Sequence, residues 1–277
     1  MKCVIFAGGV GSRISSITGG SNKHLLPIAG KPMISHVINN LYISGIDEFL
    51  IITNNGWEPN FEFALAKDSA NIEKSRIKVI HSNNPEDQLG DVLYKSIDFV
   101  QNEDFLLHLG DNLFMDDPGL LYSSLIQMHG QNHIILAKAK DSHHFGVPLF
   151  QKGHLINIVE KPVKAKISKF GIVSTGLYRY TKQVFSVIQE MIFDNREVRD
   201  ITAINNQLLI NGKLDFTLYS GKWFDIGLPE NYQEISSIDL ALSPKGYNNV
   251  DKSYINDLMQ VNIFQNNNIS VRDRRVH

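Results

Sequence analysis

One cysteine in 277 residues, Cys3, leaves the chain without the means to build a disulfide framework or a cysteine-ligated zinc site. It lies inside an apolar run, KCVIFA, which suits a reducing cytoplasm. Charge of one sign is also missing: 27 Lys and Arg face 29 Asp and Glu, a net charge of −2. That balance gives no broad field for nucleic acid or for an anionic membrane, so neither is expected as a partner. Any bound anion must be held by a local constellation. No apolar run is long enough to span a bilayer, and the start MKCVIFAGG is too short in its apolar part for a signal peptide. No internal repeat and no Pro-, Gly- or Ser-rich linker divides the chain. What remains is a soluble, intracellular protein able to bury a sizeable core.

Apolar runs alternate with helical spacing through the first half. Strands are expected at Cys3 to Ala7, Phe49 to Thr53, Ile77 to His81, Phe105 to Leu109 and His133 to Lys138. Helices are expected at Met33 to Ser44, Trp57 to Ala66, Leu89 to Val100 and Leu120 to Met128. The alternation predicts an α/β fold: a mostly parallel, doubly wound, Rossmann-like sheet flanked by helices. Ligands in such sheets sit at the carboxyl ends of the strands. After Asp141 shorter strands are expected (Phe145 to Phe150, His154 to Val159, Ile172 to Tyr180, Leu214 to Tyr219), with helices at Lys182 to Glu190 and Val198 to Ile210. This part should extend the sheet and form a smaller lid over it. One domain is expected over 1–240, followed by a terminal helix and tail over 241–277.

Six glycines, one arginine and two lysines lie between Ile5 and Met33, in IFAGGVGSRISSITGGSNKHLLPIAGKPM. A strand ending at Ala7 and followed by Gly8, Gly9 and Gly11 offers backbone that can take positive φ, with amides free to cradle phosphate oxygens. The pattern is neither GxGxxG nor GxxxxGK[ST], so a dinucleotide fingerprint and a P-loop are both excluded. Arg13 offers a planar fork for two oxygens and Lys23 a compact charge. Lys31, just before Pro32, reads as a solvated turn residue.

GGVGSRISSITGGSNKHLLPIAGKPMI resembles the signature of the nucleotidyltransferases that activate sugar 1-phosphates, and among them the bacterial glucose-1-phosphate thymidylyltransferases. Six later segments match in the same order: LHLGDN (107–112), FGV (145–147), VEKP (159–162), STGLYRY (174–180), ITAINNQLL (201–209) and KWFDIGLPENY (222–232). The resemblance implies transfer of a nucleotidyl group from a nucleoside triphosphate, dTTP first, to a sugar 1-phosphate, glucose 1-phosphate first, in a homo-oligomeric, Mg²⁺-dependent enzyme.

Asp111 follows the apolar run FLLHLG, and Asp225 lies in WFDIG; both match the family's metal ligands, and two converging carboxylates suit Mg²⁺. The resemblance assigns Arg13, Lys23 and Lys161 to catalysis. It assigns Ala7, Gly8, Gly9, Gly11, Ser12, Asn83, Gln88, Leu89 and Gly90 to the nucleotide, and Gly146, Glu160, Lys161 and Gly176 to the sugar phosphate. Residues 1–140 would then serve mainly the nucleotide, and 141–240 mainly the sugar phosphate. Departures fall where specificity is set. Ser16 replaces a proline, and HSNNPEDQLGDVL (81–93) departs from the family's base-reading stretch. Asn83 stands in place of its glutamine and Gln88 in place of its glycine, so Gln88 is a second candidate to meet the base. Asp200 replaces a glutamate and Ala203 an aspartate. UTP or CTP, and other sugars, therefore stay open.

The remaining polar residues read as structural. His143 and His144 lack a third ligand at metal spacing, His24 is expected to pack near the phosphates, and Trp223 to pack behind Asp225. Two other readings compete. A glycosyltransferase would usually carry D-x-D, where this chain has G-D-N. A non-catalytic nucleotide-binding subunit would have no reason to keep Arg13, Lys23, Asp111, Lys161 and Asp225 together.

Overall fold

The computed structural model describes residues 1–9, 11–68, 72–82, 87–163, 170–196 and 200–237. Asn83, the first residues of the Val198 to Ile210 helix and the expected 241–277 extension lie outside the described residues.

In chain order the first strands are β1 (Lys2–Ala7), β2 (Pro27–Ile28), β3 (Lys31–Pro32), β4 (Glu48–Asn54), β5 (Ile77–Ser82), β6 (Phe105–Leu109) and β7 (Asn112–Phe114). They are followed by β8 (Asn132–Lys140), β9 (Gly146–Gln151), β10 (His154–Glu160), β11 (Phe170–Tyr180), β12 (Leu214–Tyr219) and β13 (Trp223–Asp225). The helices are α1 (Ser15–Thr18), α2 (Met33–Ile43), α3 (Glu58–Asp68), α4 (Leu89–Tyr94), α5 (Ile97–Val100), α6 (Pro118–Gln127), α7 (Gln183–Phe193), α8 (Ile201–Ile210) and α9 (Pro229–Ser236).

A seven-stranded sheet in the order β12-β8-β11-β6-β1-β4-β5 forms the centre. β1 pairs in parallel with β4 and β6, β4 with β5, and β8 with β12. The sheet is mostly parallel as expected, with one inversion: β11 runs antiparallel to both β6 and β8. β1 explains why a continuous apolar run is needed here. Its Cys3, Ile5 and Ala7 enter one core with α2 and α6, while Val4 and Phe6 enter the other with α7 and α8. Alternate side chains leave a strand on opposite faces, so both sets must be apolar when helices cover both.

Local chemistry sets several boundaries. Asp117 accepts a hydrogen bond from Leu120 N at 3.1 Å and Pro118 opens the first turn of α6, a combination that favours helix initiation. Asp200 caps α8 in the same way, accepting from Ala203 N at 2.7 Å. The single helix expected over Leu89 to Val100 is instead two, α4 and α5. Ser96 breaks it: its hydroxyl donates to Leu93 O at 2.7 Å, diverting a carbonyl that a continuing helix would use.

Cys3 is fully buried, and burial pushes its thiol far above the usual range. A thiol kept protonated and away from solvent is a poor nucleophile. Titration with a disulfide reagent should find no reactive thiol in the native protein and one after denaturation in guanidinium. Rapid reaction of the native protein would contradict this burial.

Candidate active site

The carboxyl end of β1 opens into the glycine segment. Gly9 and Gly11 adopt positive φ (100° and 56°), where a side chain would be strained, and Gly9 N donates to Asn54 Oδ1 at 3.2 Å. A Cβ on Gly8 would stand 2.9 Å from that same oxygen. Bare backbone here therefore lets β4 clamp the loop. The Ala7 carbonyl accepts from Asn22 Nδ2 at 3.1 Å and from Thr53 Oγ1 at 3.2 Å, which ties the loop's start to its far arm. Gly8, Gly9, Asn54, Gln88 and Leu89 line a cavity of about 830 Å³. Gly90 is buried in the first turn of α4 and does not line this cavity. Gln88 is the N-cap of that helix in a reciprocal capping box with Asp91. Its side chain thus has a structural duty as well as a place on the cavity wall.

Asp111 and Asp225 come from residues more than a hundred positions apart, and a two-stranded ribbon brings them together. β7 pairs antiparallel with β13, placing Asn112 opposite Asp225, and Ile226 N donates to Asp111 O at 2.8 Å. Lys23, carried on a short turn after the glycine segment, ion-pairs with Asp111; both side chains are 12% exposed. Burial opposes both charges, but each stabilises the other. The Asp111 carboxyl is held below the usual carboxylate range and the Lys23 ammonium above its usual value. Among the described residues Asp225 forms no ion pair. Burial, and then the Asp111 charge, push its carboxyl up to about 7, while Gly227 N donates to its Oδ1 at 2.7 Å. Arg13 is exposed, with one guanidinium nitrogen 3.3 Å from where a Cβ on Gly227 would stand.

Two carboxylates that repel one another, Asp111 buried and Asp225 half-buried, fit a hard divalent cation. Among the described residues no cluster of three or more His, Cys, Asp or Glu could hold a metal, so an ion here would complete its shell with water and phosphate oxygens.

A second cavity of about 290 Å³ is lined by Arg13, Asp111 and Asp225 together with Gly146, Glu160, Lys161 and Gly176. Leu89 and Asp200 line both cavities, so the two adjoin. Glu160, at the end of β10, lies opposite Gly146 of β9. Its carboxylate accepts from Thr202 Oγ1 at 2.6 Å and pairs with Lys161 Nζ at 3.0 Å. A Cβ on Gly146 would crowd Ile158 at 3.1 Å and Thr202 at 3.3 Å. Lys161 is mostly exposed, 63%, and so can turn toward a ligand. Trp223 does not sit behind Asp225: it reaches across to donate to Asn112 Oδ1 at 2.7 Å and packs edge-on against Phe145 at 5.3 Å, forming a wall of the cavity.

Three residues to which the resemblance assigns no role brace these groups: Asn112 and Thr202, which lie inside the matched segments LHLGDN and ITAINNQLL, and Asn54, which lies in none. His24 is buried, which lowers its pKa to about 3 and keeps it neutral beside Lys23; its Nδ1 lies 2.7 Å from Asn22 Oδ1. The His143 and His144 rings lie 3.9 Å apart, tilted by 39°.

The model of the family described as nucleotidyl transferase matches residues 2–241. The chain belongs to the nucleotidyl transferase family. The resemblance carried by the glycine segment and its later motifs therefore holds, and with it the sugar-1-phosphate nucleotidyltransferase class of enzyme. A glucose-1-phosphate thymidylyltransferase of Neisseria meningitidis serogroup A is 30% identical over 243 residues, covering 86% of this chain and 82% of that protein. The bifunctional protein GlmU of Methanococcus maripaludis strain C7 is 29% identical over 262 residues; the match takes in 90% of this chain but only 58% of that protein. A Bacillus anthracis structure assigned as a glucose-1-phosphate thymidylyltransferase, in complex with sucrose, superimposes with a TM-score of 0.76 at 30% identity, covering 90% of this nucleotidyl transferase and 98% of that chain. No helix among the described residues is long and apolar enough to cross a membrane.

Proposed function

We propose that this nucleotidyl transferase joins a nucleoside triphosphate to a sugar 1-phosphate and releases pyrophosphate. The observation that carries the reading is the pair of adjoining cavities, one at the glycine loop and one holding Glu160 and Lys161, with Arg13, Asp111 and Asp225 in the wall of the second. The first cavity, built mainly from residues before Leu93, would take the triphosphate; the second, built mainly from residues after Asp141, the sugar phosphate.

The step is one in-line displacement. A phosphate oxygen of the sugar 1-phosphate bonds to the α-phosphorus, and the bond from that phosphorus to the bridging oxygen breaks as pyrophosphate leaves. Both reactants are anions, so positioning and charge neutralisation carry the catalysis and no protein nucleophile is required. Arg13 forks onto the departing pyrophosphate. Lys23 exchanges its Asp111 contact for the phosphate that reacts. Lys161 fixes the acceptor phosphate, and Glu160, braced by Thr202, accepts from sugar hydroxyls. Mg²⁺ bound at Asp111 and Asp225 would supply charge neutralisation on the triphosphate.

dTTP and glucose 1-phosphate are the first substrates to try, supported by the thymidylyltransferase relatives. A panel of dTTP, UTP, CTP, ATP and GTP crossed with several sugar 1-phosphates, scored by Mg²⁺-dependent pyrophosphate release, tests the reading. The expected result is one strongly preferred pair. Silence across the panel, with the protein folded, would overturn it.

A further inference from the structure

We propose that Asn112 is a positioning residue whose single carboxamide sets both the Asp111 carboxylate and the sugar-side wall, an inference that rests on the transferase reading above. Asn112 is fully buried. Its Oδ1 accepts from Gly176 N at 2.8 Å and from Trp223 Nε1 at 2.7 Å, and its Nδ2 donates to Asp111 Oδ1 at 2.9 Å. A carbonyl oxygen has two lone pairs, and both are used. The opposite amide orientation would turn N–H groups onto two donors, so the network admits one setting only.

The partners belong to different parts of the chain: Asp111 to the β6–β7 junction, Gly176 to the irregular middle of β11, and Trp223 to β13. Gly176 must be glycine for the amide to come so near, since a Cβ there would lie 2.7 Å from Asn112 Cγ and 2.6 Å from Leu109 Cβ. Aspartate at 112 would keep an acceptor for both N–H groups but lose the donor and set a negative charge against Asp111. A movement of the sugar-side wall therefore reaches the carboxylate through one rigid amide.

The test compares Asn112→Ala, Asn112→Asp and Trp223→Phe with the native protein. Readouts are Mn²⁺ binding followed by EPR without substrates, KM for the sugar 1-phosphate, kcat, and thermal unfolding. A hydrogen bond to a charged group is worth about tenfold or more in binding. Asn112→Ala should weaken Mn²⁺ and raise the sugar-phosphate KM, each by about tenfold. Trp223→Phe should raise that KM while leaving Mn²⁺ binding within about twofold, because its loss stops at the sugar side. Asn112→Asp should keep the KM near native, since both N–H groups retain their acceptor, while kcat falls by about tenfold or more. A folded Asn112→Ala with native Mn²⁺ binding and KM, however far its Tm drops, overturns the proposal and leaves a structural role. If Asn112→Ala does not fold, a native kcat in Asn112→Asp or a native KM in Trp223→Phe overturns it instead. Should the native protein release no pyrophosphate with any substrate pair, the transferase reading fails, and Mn²⁺ binding still decides the link to Asp111.

Discussion

Asp111→Ala is expected to lower kcat/KM for pyrophosphate release by about 10²-fold or more, a few kcal/mol of barrier. The change removes one of two carboxylates that converge through the β7–β13 ribbon, and it also strips Lys23 of its ion-pair partner. Losing one member of a buried pair leaves an uncompensated charge, so stability should fall too, by up to about 3 kcal/mol. The two effects separate in a double variant. Asp111→Asn with Lys23→Met deletes both charges at once, and non-additive recovery of stability is expected because the residues touch. Activity should not recover, since the proposed metal-holding carboxylate and the proposed phosphate-binding cation are both gone. Activity assays below each variant's Tm, with unfolding followed by circular dichroism, give both answers. Near-native turnover of Asp111→Ala in saturating Mg²⁺ would sink the assignment.

Arg179→Met is expected to leave substrate KM values within about twofold but to destabilise the fold by about 3–5 kcal/mol, lowering Tm by roughly 10 °C. Arg179 is completely buried in β11. Its Nε donates to Leu125 O at 3.0 Å, its other nitrogens donate to the carbonyls of Gln131 and Met128, and it pairs with Asp104 at 2.6 Å. Those carbonyls lie at and beyond the end of α6, where backbone acceptors have no helical partner. One guanidinium thus satisfies the exit of α6 and the segment that leads into β8. Methionine fills similar space but takes the guanidinium donors from three carbonyls and leaves the Asp104 carboxylate with the Gly130 N–H at 3.1 Å. Lysine should not rescue, because a single ammonium cannot present the planar fork. The Arg179 contacts avoid both cavities, which is why binding should survive; a change in KM of tenfold or more would show that β11 transmits strain to the site.

The strands were legible because helices cover both faces of the sheet. VIFA, FLIIT and FLLHL had to be apolar at nearly every position, with only Thr53 and His108 polar, and such runs stand out. Their direction was not legible. Apolar spacing is the same in either sense, so the inversion of β11 left no mark, and Ser96 hid the break between α4 and α5. Motif spacing brought Arg13, Asp111, Lys161 and Asp225 to one cavity wall. It missed what braces them: the Lys23–Asp111 pair spans 88 residues and the Thr202–Glu160 bond 42, distances over which no local pattern operates. β7 and β13 are three residues each, too short for periodicity to register.

The pairing of β7 with β13 carries a consequence for how the protein is made. During vectorial synthesis the strands from β1 to β6 can leave the ribosome and dock while Asp225 is still untranslated. The glycine loop, Lys23 and Asp111 then exist without their second carboxylate, and the cavity wall formed by Trp223 is open. Chains truncated before Trp223 should retain much of the parallel sheet yet lack the β7–β13 ribbon that brings Asp111 and Asp225 together. On the proposed function, pyrophosphate release is expected only from chains that extend through Trp223 and Asp225.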